Sequence, residues 1–329
     1  MIIILRCLAA ILLSVGIAAH AEAQALQKLV LFGQPSVNND SIWMAISNGY
    51  YKEAGIDLDY RAFPSGLTAF QSFKAGQGDI IMTGDLPAVQ YFLGDPNGYR
   101  AIAAIERDAK GYVAIASKAI TKPQDLEGKT IATRVGSTGS WFISEYLTKN
   151  GVDPAKVTIK NLDTQLLPTA LCGGDIAAFF IWQPIGSRAL EICGDKAYQL
   201  TDATGYIQGY LLAGARPSWL QAPGNADLTV RFLKATMRGR DKAQADFPSV
   251  AAYAAAKLSL SEAATRAQWD TNLRPIALDD EFYKDFCSES RWAQNNKLTD
   301  RPLDYGTFIW STGLLAIDPK LVTLPPPPC

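Results

Sequence analysis

Gly128-Lys129-Thr130-Ile131-Ala132-Thr133-Arg134-Val135-Gly136-Ser137-Thr138-Gly139-Ser140-Trp141 passes from a strand, through a loop of glycines and hydroxyls, into a helix that Asn150-Gly151 stops. The same rhythm repeats on both sides. Upstream, strands are expected at Lys28–Phe32, Ile56–Phe63, Asp79–Thr83 and Tyr99–Ile105, with helices between them. Gly55 and Gly76 end two of those helices, where a residue free to adopt positive φ is favoured. Downstream, strands are expected at Val157–Leu162, Ile176–Trp182 and Tyr198–Leu200, with helices at Pro168–Leu171 and Ile185–Ile192. Alternating strands and helices predict an α/β protein with mainly parallel sheets flanked by helices. From Pro217 onward helical patterns dominate, as at Leu228–Arg240, Ser249–Leu258 and Ser261–Trp269.

A chain of 329 residues exceeds one ordinary core, so two lobes are expected. Strands at Gly111–Ser117 and Tyr210–Ala215 bracket the middle unit and read as hinge connectors. The expected organisation is a signal at 1–23, a first lobe from 24–111 and 215–324, an inserted lobe from 112–214 and a tail at 325–329. The signal reading rests on Arg6, the apolar run Ala9–Ala19 and the small-x-small site Ala21-Glu22-Ala23. An exported, periplasmic chain cleaved near Ala23 is therefore expected. Cys7 precedes the apolar run and cannot be a lipoprotein attachment point.

His20, the one histidine, falls inside that signal. The mature chain would then lack Ser-His-Asp and Cys-His nucleophiles and every zinc pattern that uses histidine. No metal and no cofactor is expected, and the Gly136–Trp141 loop lacks the Gly-Lys-Ser/Thr ending of a phosphate-binding P-loop. The formal net charge of -1 offers no basic surface for nucleic acid. Cys172, Cys193, Cys287 and Cys329 remain after cleavage. Cys172 and Cys193 close two successive helices that run the same way, so they meet either as a disulfide or as two buried thiols.

In open parallel sheets the loops at the carboxyl ends of strands form the binding crevice. Those loops supply Gln34, Asn38 and Asn39, then Ser65, then Asp85, and in the inserted lobe Arg134, Ser137, Thr138 and Trp182. A helix start presents unpaired N–H groups and about half a positive charge, so Ser137 and Thr138 there can hold an oxyanion. Arg134 can add a forked donor. Three alternatives stay open at this point. Ser137 or Thr138 can simply cap its helix, Trp182 can be a core residue, and Asp85 can cap a helix or meet an amine or hydroxyl of the ligand.

Several stretches together resemble the periplasmic binding proteins of sulfonate, taurine and nitrate importers, whose relatives include binders of thiamine-pyrimidine precursors. They are Tyr60-Arg61-Ala62-Phe63-Pro64-Ser65-Gly66, Gly78-Asp79-Ile80, Lys122-Pro123-Gln124-Asp125-Leu126-Glu127-Gly128-Lys129, Ser137-Thr138 and Gly174–Pro184 with its Trp-x-Pro ending. The likeness runs from about Leu26 to Ala213 and more loosely through the C-terminal helices. It implies a two-lobed type II periplasmic-binding fold with a solute in the cleft, Ser137 and Thr138 on its oxyanion and Trp182 at its wall. It also implies an ABC permease and ATPase as partners; the missing mature histidine and the lack of a cysteine in the cleft loops point away from catalysis, and a monomer is expected. The solute implied is anionic or zwitterionic, taurine- or sulfonate-like, with nitrate, carboxylate or pyrimidine-type ligands as alternatives. Asp85-Leu86 stands where sulfonate and taurine binders often have two serines, which counts against a simple alkylsulfonate. A desulfinase-like enzyme and a ligand-sensing module for a membrane kinase are the competing functions.

Overall fold

A computed structural model describes residues 25–300 and 303–325. The expected signal, its cleavage point, His20 and Cys329 lie outside those residues. Four strands come first: β1 (Gln27–Gly33), β2 (Ile56–Ala62), β3 (Ile80–Gly84) and β4 (Arg100–Asp108). The next five are β5 (Tyr112–Ser117), β6 (Thr130–Thr133), β7 (Thr158–Asn161), β8 (Ala178–Trp182) and β9 (Ala197–Asp202). The last, β10 (Gly209–Ala215), returns to the first group. They form two five-stranded sheets, ordered β2-β1-β3-β10-β4 and β7-β6-β8-β5-β9.

The sheets share one plan. β1 runs parallel to β2 and β3, and β6 runs parallel to β7 and β8. β10 runs antiparallel to β3 and β4, and β5 antiparallel to β8 and β9. Both antiparallel strands are the ones by which the chain enters a sheet from the other lobe. A strand that starts at the cleft must run away from it, opposite to neighbours whose carboxyl ends point into the cleft. The segments read as connectors in the sequence are therefore sheet members. The chain crosses between lobes at 109–111 and 203–208.

Periodicity explains the packing. In β8, Ala178, Phe179, Phe180 and Ile181 are all fully buried. Successive side chains face opposite sides of a sheet. Phe180 accordingly joins Trp141 and Phe142 on one face, and Phe179 joins Leu167 and Leu171 on the other. A separate core holds the first sheet, with Leu29, Leu31, Ile81 and Ile102 packed against Phe232 of the helix Asn225–Ala245. The helix Asp280–Asn295 falls in the helical region expected from Pro217 onward and spans both lobes. Its Phe282 and Phe286 enter the first core, and Trp292 lies 6.3 Å from Trp141 between ring centroids.

Two cross-links fix distant segments. Cys172 and Cys193 form a disulfide with their Cα atoms 5.1 Å apart, joining the ends of the helices Leu167–Gly173 and Ile185–Cys193. Arg274 holds Asp40 through Nε at 3.0 Å and Nη2 at 2.5 Å, both side chains being buried. Among the described residues no helix is long and apolar enough to cross a membrane, and no group of His, Cys, Asp or Glu could hold a metal ion.

Candidate functional site

A small cavity of about 40 Å³ lies between the two sheets. The first lobe lines it with Gln34, Ser36, Asn38, Asn39, Ser65, Gly66, Leu67, Gly84, Pro87, Glu106 and Leu211. The second contributes Tyr112, Ser137, Thr138 and Trp182. Four helices begin at or beside it: Asp40–Ser47, Gly66–Lys74, Asp85–Gly94 and Thr138–Lys149. Among the described lining residues there is no lysine or arginine. Positive potential in the cavity therefore comes from helix starts rather than from side-chain cations.

The lobes touch around it. Thr138 Oγ1 donates to Asp85 Oδ1 at 2.6 Å, and Ser36 Oγ donates to the Gln183 carbonyl at 3.3 Å. Arg188 Nη2 reaches the Leu258 carbonyl at 2.7 Å.

At the Gly136–Trp141 loop the question left open by the sequence is whether the hydroxyls only cap their helix. Ser137 occupies the N-cap position but makes no side-chain cap bond. Its Oγ is buried and has no hydrogen-bond partner. The turn is closed instead by Gly136 N–H donating to Ser140 Oγ at 3.0 Å. Gly136 adopts φ +85, a conformation glycine takes without strain. At Gly139 a Cβ would fall 2.5 Å from Thr133 Oγ1 and 2.9 Å from the Phe180 carbonyl oxygen, so the missing side chain lets the helix start press onto the sheet.

The remaining candidates divide. Ser65 lines the cavity yet caps its own helix, accepting from Thr68 N at 3.3 Å. Asn39 Nδ2 is spent on the Gln34 carbonyl at 2.8 Å, while its Oδ1 is buried without a partner. Asn38 N–H donates to Ser36 Oγ at 3.4 Å. Trp182 is half-buried at the wall, followed by a cis Gln183–Pro184 bond. Arg134 is not among the lining residues. β6 ends before it, and its guanidinium turns outward to Asp163 and Asn161, each at 3.4 Å. Asp85 is also absent from the lining. Its carboxylate accepts from Thr138 Oγ1, from Leu86 N at 2.8 Å and from Tyr210 N at 3.1 Å, so it ties the lobes together. Burial raises its pKa to about 6, against the pull of those three donors.

Sequence reasoning missed Ser36, Tyr112 and Glu106. Glu106 follows directly on the apolar strand Tyr99–Ile105, and a charge closing such a run was the available signal. It is 1% exposed, and both of its carboxylate oxygens are buried without a partner. Burial holds its pKa well above the ordinary carboxylate range, and nearby Asp108 adds to the rise. The Asn38 amide favours the charged form but falls short of hydrogen-bond geometry.

The profile of the "NMT1/THI5 like" family matches residues 37–247. The chain belongs to this family. The taurine-binding periplasmic protein of Escherichia coli (strain K12) is 31% identical over 171 residues, covering 52% of this chain and 52% of that protein. The chain thus spans about half the length of the curated relative it matches. Among solved structures, the alkanesulfonate-binding protein SsuA of Xanthomonas axonopodis pv. citri bound to MOPS superposes with a TM-score of 0.74 at 18% identity, covering 86% of this chain and 98% of that one. The periplasmic aliphatic sulphonate binding protein SsuA of Escherichia coli gives 0.70 at 19% identity, covering 86% and 97%. These two share the fold, that of two-lobed periplasmic binding proteins. As a member of the NMT1/THI5-like family, the chain places its cavity where the carboxyl ends of β1, β3 and β6 and the helix starts that follow them converge on the lobe boundary.

Proposed function

We propose that this protein is the exported solute-binding receptor of an ABC importer. It would capture a small oxyanion-bearing, sulfonate-like solute between its lobes and deliver it, as a monomer, to a permease with an ATPase partner. In this reading one lobe is 25–108 with 209–324 and the other is the inserted 112–202, hinged at the two crossings; the return boundary expected at 214 moves to 203–208 because β10 pairs in the first sheet. The taurine-binding relative and the sulfonate-binding fold neighbours support the ligand class. One observation carries the reading: Ser137 Oγ is buried, uncapped and unpartnered at a helix start that opens on the interlobe cavity. A buried hydroxyl with no partner is costly in a fold unless something binds to it. Such an oxygen beside unpaired helix N–H groups suits a sulfonate or carboxylate oxygen. The cavity's small volume favours a compact solute over a bicyclic one.

No basic partner accompanies Ser137, and no cysteine lines the cavity among the described residues, so binding fits this site better than nucleophilic catalysis. A thermal-shift screen of taurine, alkylsulfonates, nitrate, carboxylates and pyrimidine precursors tests the reading. A true ligand at one hundred times its dissociation constant stabilises the fold by about 2.7 kcal/mol. Ser137→Ala is the cleaner variant, because Thr138 also holds Asp85. It should abolish the shift without lowering the ligand-free melting temperature. An undiminished shift refutes the oxyanion site.

A further inference from the structure

Glu106 sits in the cavity wall with both oxygens unpartnered, although a buried carboxyl normally finds donors. The Asn38 amide beside it falls short of hydrogen-bond geometry. Arg274, the cation whose charge reaches it, is spent on Asp40 and on the carbonyls of Asn272 and Trp269. Asp108, Asp40 and Tyr112 are the other titratable groups that face it, and none of these is a cation. The backbone is shaped to aim it. A register shift in the pairing of β4 with β10 sets Leu211 against Glu106 but Leu212 against Ala104, leaving Ile105 as an extra residue. Such bulges re-aim the side chains next to them.

Resting on the reading that an oxyanion sits at Ser137, the geometry points to Glu106 as the group that recognises a cation on the same solute. Its carboxylate pairs with an ammonium or similar donor, so the cavity selects zwitterions over plain sulfonates. The two recognising groups stand on different lobes, Glu106 on β4 and Ser137 before the helix Thr138–Lys149. A solute with both charges bridges the lobes, whereas a plain anion engages one of them and leaves a carboxyl buried opposite. Burial disfavours the Glu106 carboxylate until a cation reaches it. An arriving ammonium favours the carboxylate, and the proton leaves to solvent. Capture of the cation therefore strengthens as pH rises toward the acidity of free Glu106.

Calorimetric titration of the whole protein with taurine, ethanesulfonate and ethanolamine tests this, in buffers of differing ionisation enthalpy, beside Glu106→Gln. Taurine should bind about 100-fold more tightly than ethanesulfonate, as expected when a buried charge pair is made or lost. Its binding should release protons to the buffer. Glu106→Gln should remove both the preference and the proton release while ethanesulfonate still binds, showing an intact cavity. Ethanesulfonate binding as tightly as taurine to the wild type, or taurine binding unchanged in the variant, overturns the role of Glu106 and leaves the oxyanion site standing. Ethanolamine binding without either sulfonate keeps Glu106 and overturns the oxyanion site. Failure of all three to bind overturns both.

Discussion

Asp85 and Ser137 occupy comparable places, each at the start of a helix beside the cavity, yet they do opposite things. Asp85 is fully satisfied by Thr138, Leu86 and Tyr210, and Ser137 is satisfied by nothing. Asp85 is also a liability at neutral pH. Its pKa rises from 3.8 to about 6 on burial, so below 3.8 both folded and unfolded chains hold the proton and it contributes nothing. Between those values the unfolded chain has lost its proton and the folded chain keeps it. Stability then falls as pH rises, on the order of 3 kcal/mol by the time the folded group ionises. Asp108, raised to about 6 mainly by burial, acts in the same direction. Asp246, held down to about 2 by Lys242 and Ser249, has the opposite sign, but its effect is complete below this window. The melting temperature of the ligand-free protein should therefore decline from pH 4 toward pH 7, and Asp85→Asn should flatten part of that decline. An identical pH profile in the variant would show that Asp85 is not a major source of it. The sequence offered Asp85 as a cap or a ligand contact and could show neither its bond to Thr138 nor the isolation of Glu106. Both depend on which residues of the opposite lobe lie nearby, which no local pattern encodes.

Individual elements were far more legible. β8 was readable because its apolar run has no polar face, and the helix Thr138–Lys149 because Gly136 and Asn150-Gly151 mark its ends. Within the helical region expected from Pro217 onward, the bounds of Asp280–Asn295 were not, because its apolar residues serve two different cores along its length. Arg134 misled for a related reason. A strand-end arginine can turn either way, and Asp163 and Asn161 on the outer side decide the direction. Two variants probe the elements. Gly139→Ala puts a methyl against the Phe180 carbonyl and should lift the helix start from the sheet. Overpacking of this kind costs about 1–3 kcal/mol, and ligand stabilisation should fall with it, both measurable by chemical denaturation with and without taurine. Replacing Cys172 and Cys193 together by alanine opens a loop with a separation of 21 residues. The loss expected from loop entropy is about 3 kcal/mol. A reduced and an oxidised wild-type protein with equal stability would contradict that.

At the scale of the molecule, the two sheets repeat one plan, and the antiparallel strand in each follows from where the chain enters. The two-lobed outline could be read from the alternation of strands and helices. The crossings at 109–111 and 203–208 could not, because β5 and β10 continue the strand pattern right up to them. The same short crossings suit a rotation of one lobe against the other, with contacts such as Thr138–Asp85 and Ser36–Gln183 formed in the closed arrangement. A ligand touching both lobes stabilises that arrangement by its differential affinity for it. The most direct test of this account is a crystal structure of the protein grown with taurine. One solute between the lobes, with its sulfonate at Ser137 and its ammonium at Glu106, is the predicted result. A saturating solute bound elsewhere on the chain, with the cavity empty and unchanged, would contradict it.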